Sequence, residues 1–208
     1  GVDAATAALL EPVSVCIEAL ERARVSAGDT VLVVGDGPFG VIISRLALRY
    51  SPSKVVLVGR HDFRLSQAPG AIRINEKHVP NVAQAVWEAS GRHGIDAAIL
   101  GAGNKSAMDL CVQSLRARGR VSVFSAIPEP VPVDLFRVHV KELEICGSCN
   151  DQDYLDRSLE LLSDGELELE RIVTHRLPFE QWEQAIRLAS VGKDEALKVA
   201  ITFGDGMH

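Results

Sequence analysis

The sequence predicts an α/β fold: a doubly wound parallel sheet of about six strands with helices on both faces, then a C-terminal strand-helix-strand tail. Three observations carry that prediction. Short apolar runs bounded by turn residues alternate along the chain with segments of helical period. One of these runs, "VLVVGDGPFG" at 31–40, breaks into glycines spaced G-x-G-x-x-G. The pattern changes after 171, where "RIVTHRLPFEQWEQAIRLAS" reads as strand, turn at Pro178 and helix, before a final strand "ALKVAITF" at 196–203.

Taken in order, residues 5–24 have helical apolar spacing that Pro12 must bend or interrupt. Gly28-Asp29 is a turn, Thr30–Val34 a strand, and "FGVIISRLALRY" (39–50) an amphipathic helix. "KVVLVG" (54–59) is a buried parallel strand, followed by a short helix around 62–67 and a weak strand at 71–74. A helix at 79–90, strand at 96–101, helix at 105–116 and strand at 120–125 continue the alternation. Residues 131–147 hold a Pro-bounded apolar strand candidate at the sheet edge, with 142–147 as a strand, and 151–163 form a helix. Such alternation implies βαβ units with right-handed crossovers. The expected division is a dinucleotide-binding domain with a leading helix at 1–170 and a separate segment at 171–208.

Composition narrows the function classes. A 208-residue chain with 47% hydrophobic and 24% charged residues is globular rather than disordered. A net charge of −6 without a Lys/Arg stripe argues against nucleic-acid binding. No apolar run approaches the roughly 20 residues needed to span a bilayer, and no basic-then-apolar leader opens the chain. The expectation is therefore a cytoplasmic protein. Of the cysteines at 16, 111, 146 and 149, three lie in apolar segments and behave as small hydrophobes. "CGSC" at 146–149 lacks a second ligand pair, and Cys146 ends a strand rather than opening a helix. It is read as neither metal nor redox site.

The glycines follow a predicted strand and open a predicted helix, the context a dinucleotide turn requires. Gly35 makes the tight turn, Gly37 lets backbone approach a pyrophosphate, and Gly40 lets helix pack on strand, as in a Rossmann unit. A bare strand-turn-helix would use the same geometry; the βαβ context favours the nucleotide. The second strand ends in Gly59-Arg60-His61, where an NAD site usually has a carboxylate. Glycine leaves room for a 2′-phosphate and Arg60 can pair with it, so NADP(H) is preferred and NAD(H) possible. Arg64 can add a second charge or cover the adenine side. The alternative is a plain loop with a solvated Arg60.

"EPVSVCIEAL" (11–20), "GDTVLVVGDGPFG" (28–40) and "IVTHRLPFEQWEQAI" (172–186) resemble the medium-chain dehydrogenase/reductase superfamily, in particular its zinc-dependent sorbitol (polyol) and threonine dehydrogenase branch. The resemblance covers essentially the whole chain. It implies the cofactor-binding domain of such an enzyme, without the N-terminal catalytic domain that carries most zinc ligands. Hydride would pass between NADP(H) or NAD(H) and a secondary alcohol or ketone, such as a polyol or cyclitol. The 208 residues alone are expected to bind dinucleotide without turnover.

By the same resemblance Glu11 lies at the catalytic zinc, directly or through its water; otherwise it is a carboxylate at a helix start. Gly35, Gly37, Pro38, Phe39 and Gly40 form the pyrophosphate turn, and Arg64 contacts the adenosine ribose. Gly101, Ala102, Phe124 and Ser125 stand beside the nicotinamide half, with Ser148 among the cofactor-side positions. The branch commonly has an arginine where this chain reads "CGSCN", and Ser148 and Cys149 supply no guanidinium, which argues against sorbitol itself. His175 is read as structural. A homodimer is expected through the sheet edge near 131–147. The rival readings are a zinc-independent quinone or enoyl reductase of the superfamily, against which Glu11-Pro12 speaks, and a non-catalytic dinucleotide-binding module.

Overall fold

The computed structural model describes residues 2–149, 153–191 and 195–203. A short helix α1 (Ala4–Ala7) is capped by Asp3, whose carboxylate accepts from the Ala5 and Thr6 amides. Helix α2 (Leu10–Arg22) follows a break at Ala8-Leu9. Pro12 therefore sits in the first turn of α2, where its missing N–H costs no hydrogen bond. The interruption expected near Pro12 falls just ahead of it.

The chain then alternates: β1 (Thr30–Val34), α3 (Pro38–Ala47), β2 (Lys54–Gly59), α4 (Asp62–Ser66), β3 (Ile72–Asn75), α5 (Val82–Ala89), β4 (Ile95–Leu100), α6 (Lys105–Ser114) and β5 (Leu115–Val123). It continues with α7 (Leu135–Lys141), β6 (Glu144–Gly147), α8 (Leu155–Asp164), β7 (Val173–Pro178), α9 (Trp182–Val191) and β8 (Lys198–Thr202). The six-stranded sheet runs in the order β3-β2-β1-β4-β5-β6, with every pairing parallel. β7 and β8 form a separate two-stranded parallel sheet, which α9 connects.

The unbroken apolar runs of the central strands follow from burial on both faces. Val31, Val33, Val55, Leu57, Ala97 and Ile99 join the core of α2, α3 and α8. Their alternating neighbours Leu32, Val34, Val56, Val58, Ala98 and Leu100 face the core of α5 and α6. The strand period of two thus divides one hydrophobic run between two helical layers.

Two boundaries differ from expectation. Residues 135–141 are helix, not edge strand. Asp134 accepts from the Arg137 amide to start it, and Glu142 in the left-handed region (φ 52°) ends it. The edge strand is thereby confined to Glu144–Gly147. β5 begins at Leu115, inside the segment expected to end the preceding helix, and its register shifts against β4 around Arg118 (φ 61°).

Candidate dinucleotide site

The sheet order reverses between β1 and β4, so the loops after these strands diverge and leave a crevice at their carboxyl ends. The glycine turn lies there. Gly35 has φ +120°, and a Cβ on it would lie 2.8 Å from the Gly101 carbonyl carbon, so no other residue fits. Gly37 is the N-cap of α3 and Pro38 its first residue. A Cβ on Gly37 would meet nothing within 4 Å, which leaves space beside the unspent amides of the first turn. Gly40 packs directly on the Gly35 carbonyl. This turn fits a pyrophosphate.

On one side of the turn, Val34, Gly35, Asp36, Gly59, Arg60, Glu76 and Ala102 are among the residues around a narrow cleft of about 130 Å³. Sequence reasoning left the space over Gly59 empty and Arg60 unengaged. The structure fills that space with Asp36: a Cβ on Gly59 would fall 2.3 Å from the Asp36 Cβ. The Asp36 carboxylate accepts from the Arg60 amide at 2.8 Å and the His61 amide at 2.7 Å, and lies 3.0 Å from the His61 Nδ1. Arg60 in turn donates to Glu76 at 2.8 Å. Arg64 stands on α4 outside this cleft, and its buried Nε has no acceptor among the described residues.

On the other side, Phe124, Ser125 and Ser148 line a broader cleft of about 540 Å³ together with Glu18, Arg22 and Gly147. The Ser148 hydroxyl is 2.8 Å from that of Ser122, both buried, so it fastens the ends of β5 and β6. Phe39, from the glycine turn, meets Phe124 edge-on with centroids 5.3 Å apart. Lys198 of β8 lies 5.2 Å above the Phe39 ring. Glu11 is exposed in the first turn of α2. Both Glu11 and Lys198 act electrostatically on the buried Cys16, whose thiol burial pushes well up. Phe39 and Phe124 thus meet on this side, and Glu11 is not among the residues that line the cleft. The structure places Gly101 against Gly35 and Ala102 in the narrow cleft, while the Phe124 and Ser125 amides donate to the Leu100 carbonyl beside them.

Among the described residues no three His, Cys, Asp or Glu side chains cluster so as to hold a metal. None of the four cysteines forms a disulfide, and His175 sits in β7 with its Nδ1 3.1 Å from the Thr174 hydroxyl. Sequence reasoning passed over Asp36, Glu76 and Lys198. Asp36 carried a signal, an acidic residue inside the glycine turn, but its meaning depends on Gly59 across the sheet.

The strand order, the glycine turn and the crevice at the switch point define a Rossmann dinucleotide-binding unit. The chain belongs to the zinc-binding dehydrogenase family, whose sequence profile matches residues 39–164. It is 28% identical over 208 residues to an L-arabinitol 4-dehydrogenase of Aureobasidium melanogenum, covering 95% of this chain and 56% of the relative. Among solved structures, the alcohol dehydrogenase TADH from Thermus sp. ATN1 superposes with a TM-score of 0.87 at 31% identity, over 95% of this chain and 58% of that one. A short chain alcohol dehydrogenase of Escherichia coli CFT073, complexed with the cofactor NADH, gives a TM-score of 0.88 at 25% identity, over 98% and 60% of the two chains. The chain spans about half the length of the curated relatives it matches.

Proposed function

We propose that the chain is the nicotinamide-dinucleotide-binding part of a zinc-dependent dehydrogenase acting on a secondary alcohol or ketone, a polyol or cyclitol in particular. The observation that carries this is the turn at Gly35–Gly40, which leaves open space at the start of α3 where the sheet order reverses. Membership of the zinc-binding dehydrogenase family and the resemblance to polyol dehydrogenases support the reaction class. The bound cofactor supplies hydride transfer at its nicotinamide ring.

The residues of this chain position it. The α3 amides and helix dipole hold the pyrophosphate. The narrow cleft takes the adenosine end. Phe39 and Phe124 form an apolar wall for the nicotinamide end, which keeps water from the reacting face. Glu11, exposed in the first turn of α2, is the group that the family resemblance assigns to the zinc side. Because the chain spans about half the length of its relatives, we expect these 208 residues alone to bind dinucleotide without oxidising alcohol. Titration with NADH and NADPH, beside an assay for zinc-dependent polyol oxidation, tests both statements. Binding of neither dinucleotide would overturn the assignment.

On sequence grounds Gly59-Arg60 favours NADP(H), but the narrow cleft also holds the Asp36 and Glu76 carboxylates, which count against a 2′-phosphate. The segment 171–208 is proposed to dock on a further domain. Phe179, Trp182, Ile186, Val191 and Phe203 leave large apolar side chains exposed there. The face beside the β6 edge exposes Leu135, Phe136, Val140 and Ile145 and is proposed to form a homodimer contact. Sedimentation of Phe136→Glu, expected to shift toward monomer, tests it. No helix among the described residues is long and apolar enough to cross a membrane. The four cysteines without a disulfide support a reducing, cytoplasmic setting.

A further inference from the structure

We infer that Asp36 is the residue that discriminates between the two dinucleotides, and that it sets the protein toward NAD(H). This rests on the dinucleotide reading above and goes beyond it. In a Rossmann unit the acid that accepts the ribose 2′-hydroxyl stands at the end of the second strand. Here that position is Gly59, and it must be glycine because the Asp36 side chain already fills the space a Cβ would take, 2.3 Å from the Asp36 Cβ. The carboxylate is delivered from β1 instead of β2.

Three features define its role. Asp36 is 7% exposed, so the charge is held in place rather than solvated. The Arg60 amide, the His61 amide and the His61 ring all lie within 3.0 Å of one oxygen, Oδ2. Those amides form an anion nest at the strand end, the place a 2′-phosphate would use, and the protein's own carboxylate occupies it. The second oxygen, Oδ1, is left as the acceptor for a ribose hydroxyl in the cleft that Asp36 lines.

The surrounding charges reinforce the choice. Glu76 lines the same cleft and engages the Arg60 guanidinium, so two carboxylates face one cation there. A 2′-phosphate entering would meet a fixed buried anion and would have to draw Arg60 away from its partner. A 2′-hydroxyl meets only an acceptor. The Gly59-Arg60 pair taken alone therefore points the wrong way, because the carboxylate that answers it is 23 residues earlier in the chain.

The test is calorimetric titration of the protein, at one fixed ionic strength, with NADH and NADPH. The wild type should bind NADH about tenfold or more tighter than NADPH. Asp36→Asn should tighten NADPH by about tenfold and leave NADH equal or weaker. The double change Asp36→Gly with Gly59→Asp moves the carboxylate to the strand end and should restore the NADH preference that Asp36→Gly alone loses. Should Asp36→Asn fail to fold, the wild-type ratio and the double variant still decide. Tighter binding of NADPH by the wild type would overturn the inference and leave the dinucleotide reading intact. So would an unchanged ratio in Asp36→Asn. Binding of neither dinucleotide would overturn both.

Discussion

A Cβ placed on Gly40 would lie 1.8 Å from the carbonyl oxygen of Gly35 and 2.9 Å from its carbon. The collision is with backbone, which no rotamer change relieves. Gly40→Ala is therefore expected to cost about 3 kcal/mol, at the upper end of overpacking, read as a fall in the urea midpoint. Gly37→Ala is the contrast, since its Cβ meets nothing within 4 Å. Stability should hold within about 0.5 kcal/mol, while dinucleotide affinity falls by about tenfold as the methyl enters the pyrophosphate space. Equal effects of the two changes on stability would refute the assignment of the turn.

The difference between these glycines explains what was legible in the sequence. β1, β2 and β4 were readable because each is an apolar run too short for a helix and bounded by turn residues. Gly35, Gly37 and Gly40 were readable because their roles are local. The segment 131–141 was not, because "VPVDLFRVHVK" mixes β-branched residues with an apolar spacing that suits either period. The Asp134 cap decided it for helix. Asp36 over Gly59 was invisible for another reason: the two residues meet only once β1 and β2 pair, and sequence spacing carries no record of which side chain fills which gap.

Arg45 offers a test of the interior. It is 3% exposed, and its guanidinium donates to the carbonyls of Gln67 at 2.8 Å, Leu167 at 2.6 Å and Glu168 at 2.9 Å. Burial pulls its pKa down, yet a guanidinium stays charged at neutral pH. Arg45→Met would leave three carbonyls without a donor and is expected to cost about 3 kcal/mol. Arg45→Lys should recover only a minor part, because an ammonium cannot span the fork. Chemical denaturation of the two variants beside wild type measures this, and near-complete rescue by lysine would contradict it.

Thiol accessibility should divide the cysteines by burial. Cys16 and Cys111 are fully enclosed, and burial pushes the Cys111 thiol up to about 12. Cys146 is partly covered, its thiol raised by burial, with its Sγ 3.3 Å from the Arg22 carbonyl. Cys149 is exposed. A disulfide reagent at pH 8 should therefore modify Cys149 first, Cys146 more slowly, and Cys16 and Cys111 only after denaturant is added. Mass mapping of the labelled peptides reads the order, and early labelling of Cys111 would show that the α6 layer opens.

Alkaline stability should report on Tyr50. Its hydroxyl donates to Glu21 at 2.7 Å, and Arg157 donates to the same carboxylate oxygen at 2.8 Å, which ties α2 to α8. Burial, then the Glu21 bond and charge, raise the Tyr50 pKa above its ordinary 10.0. The folded state thus keeps a proton that the unfolded chain releases. The stabilisation is complete below pH 10 and is lost as pH climbs from there toward the folded pKa, at about 1.4 kcal/mol per pH unit. Tyr50→Phe should cost about 1 kcal/mol at pH 8 through the lost hydrogen bond. The gap between the two proteins should close as pH rises past 10, because phenylalanine has no proton to lose. Urea midpoints of both, taken from pH 8 to 11, measure the gap. A constant difference across that range would mean that Tyr50 ionises as freely in the folded protein as in the unfolded chain.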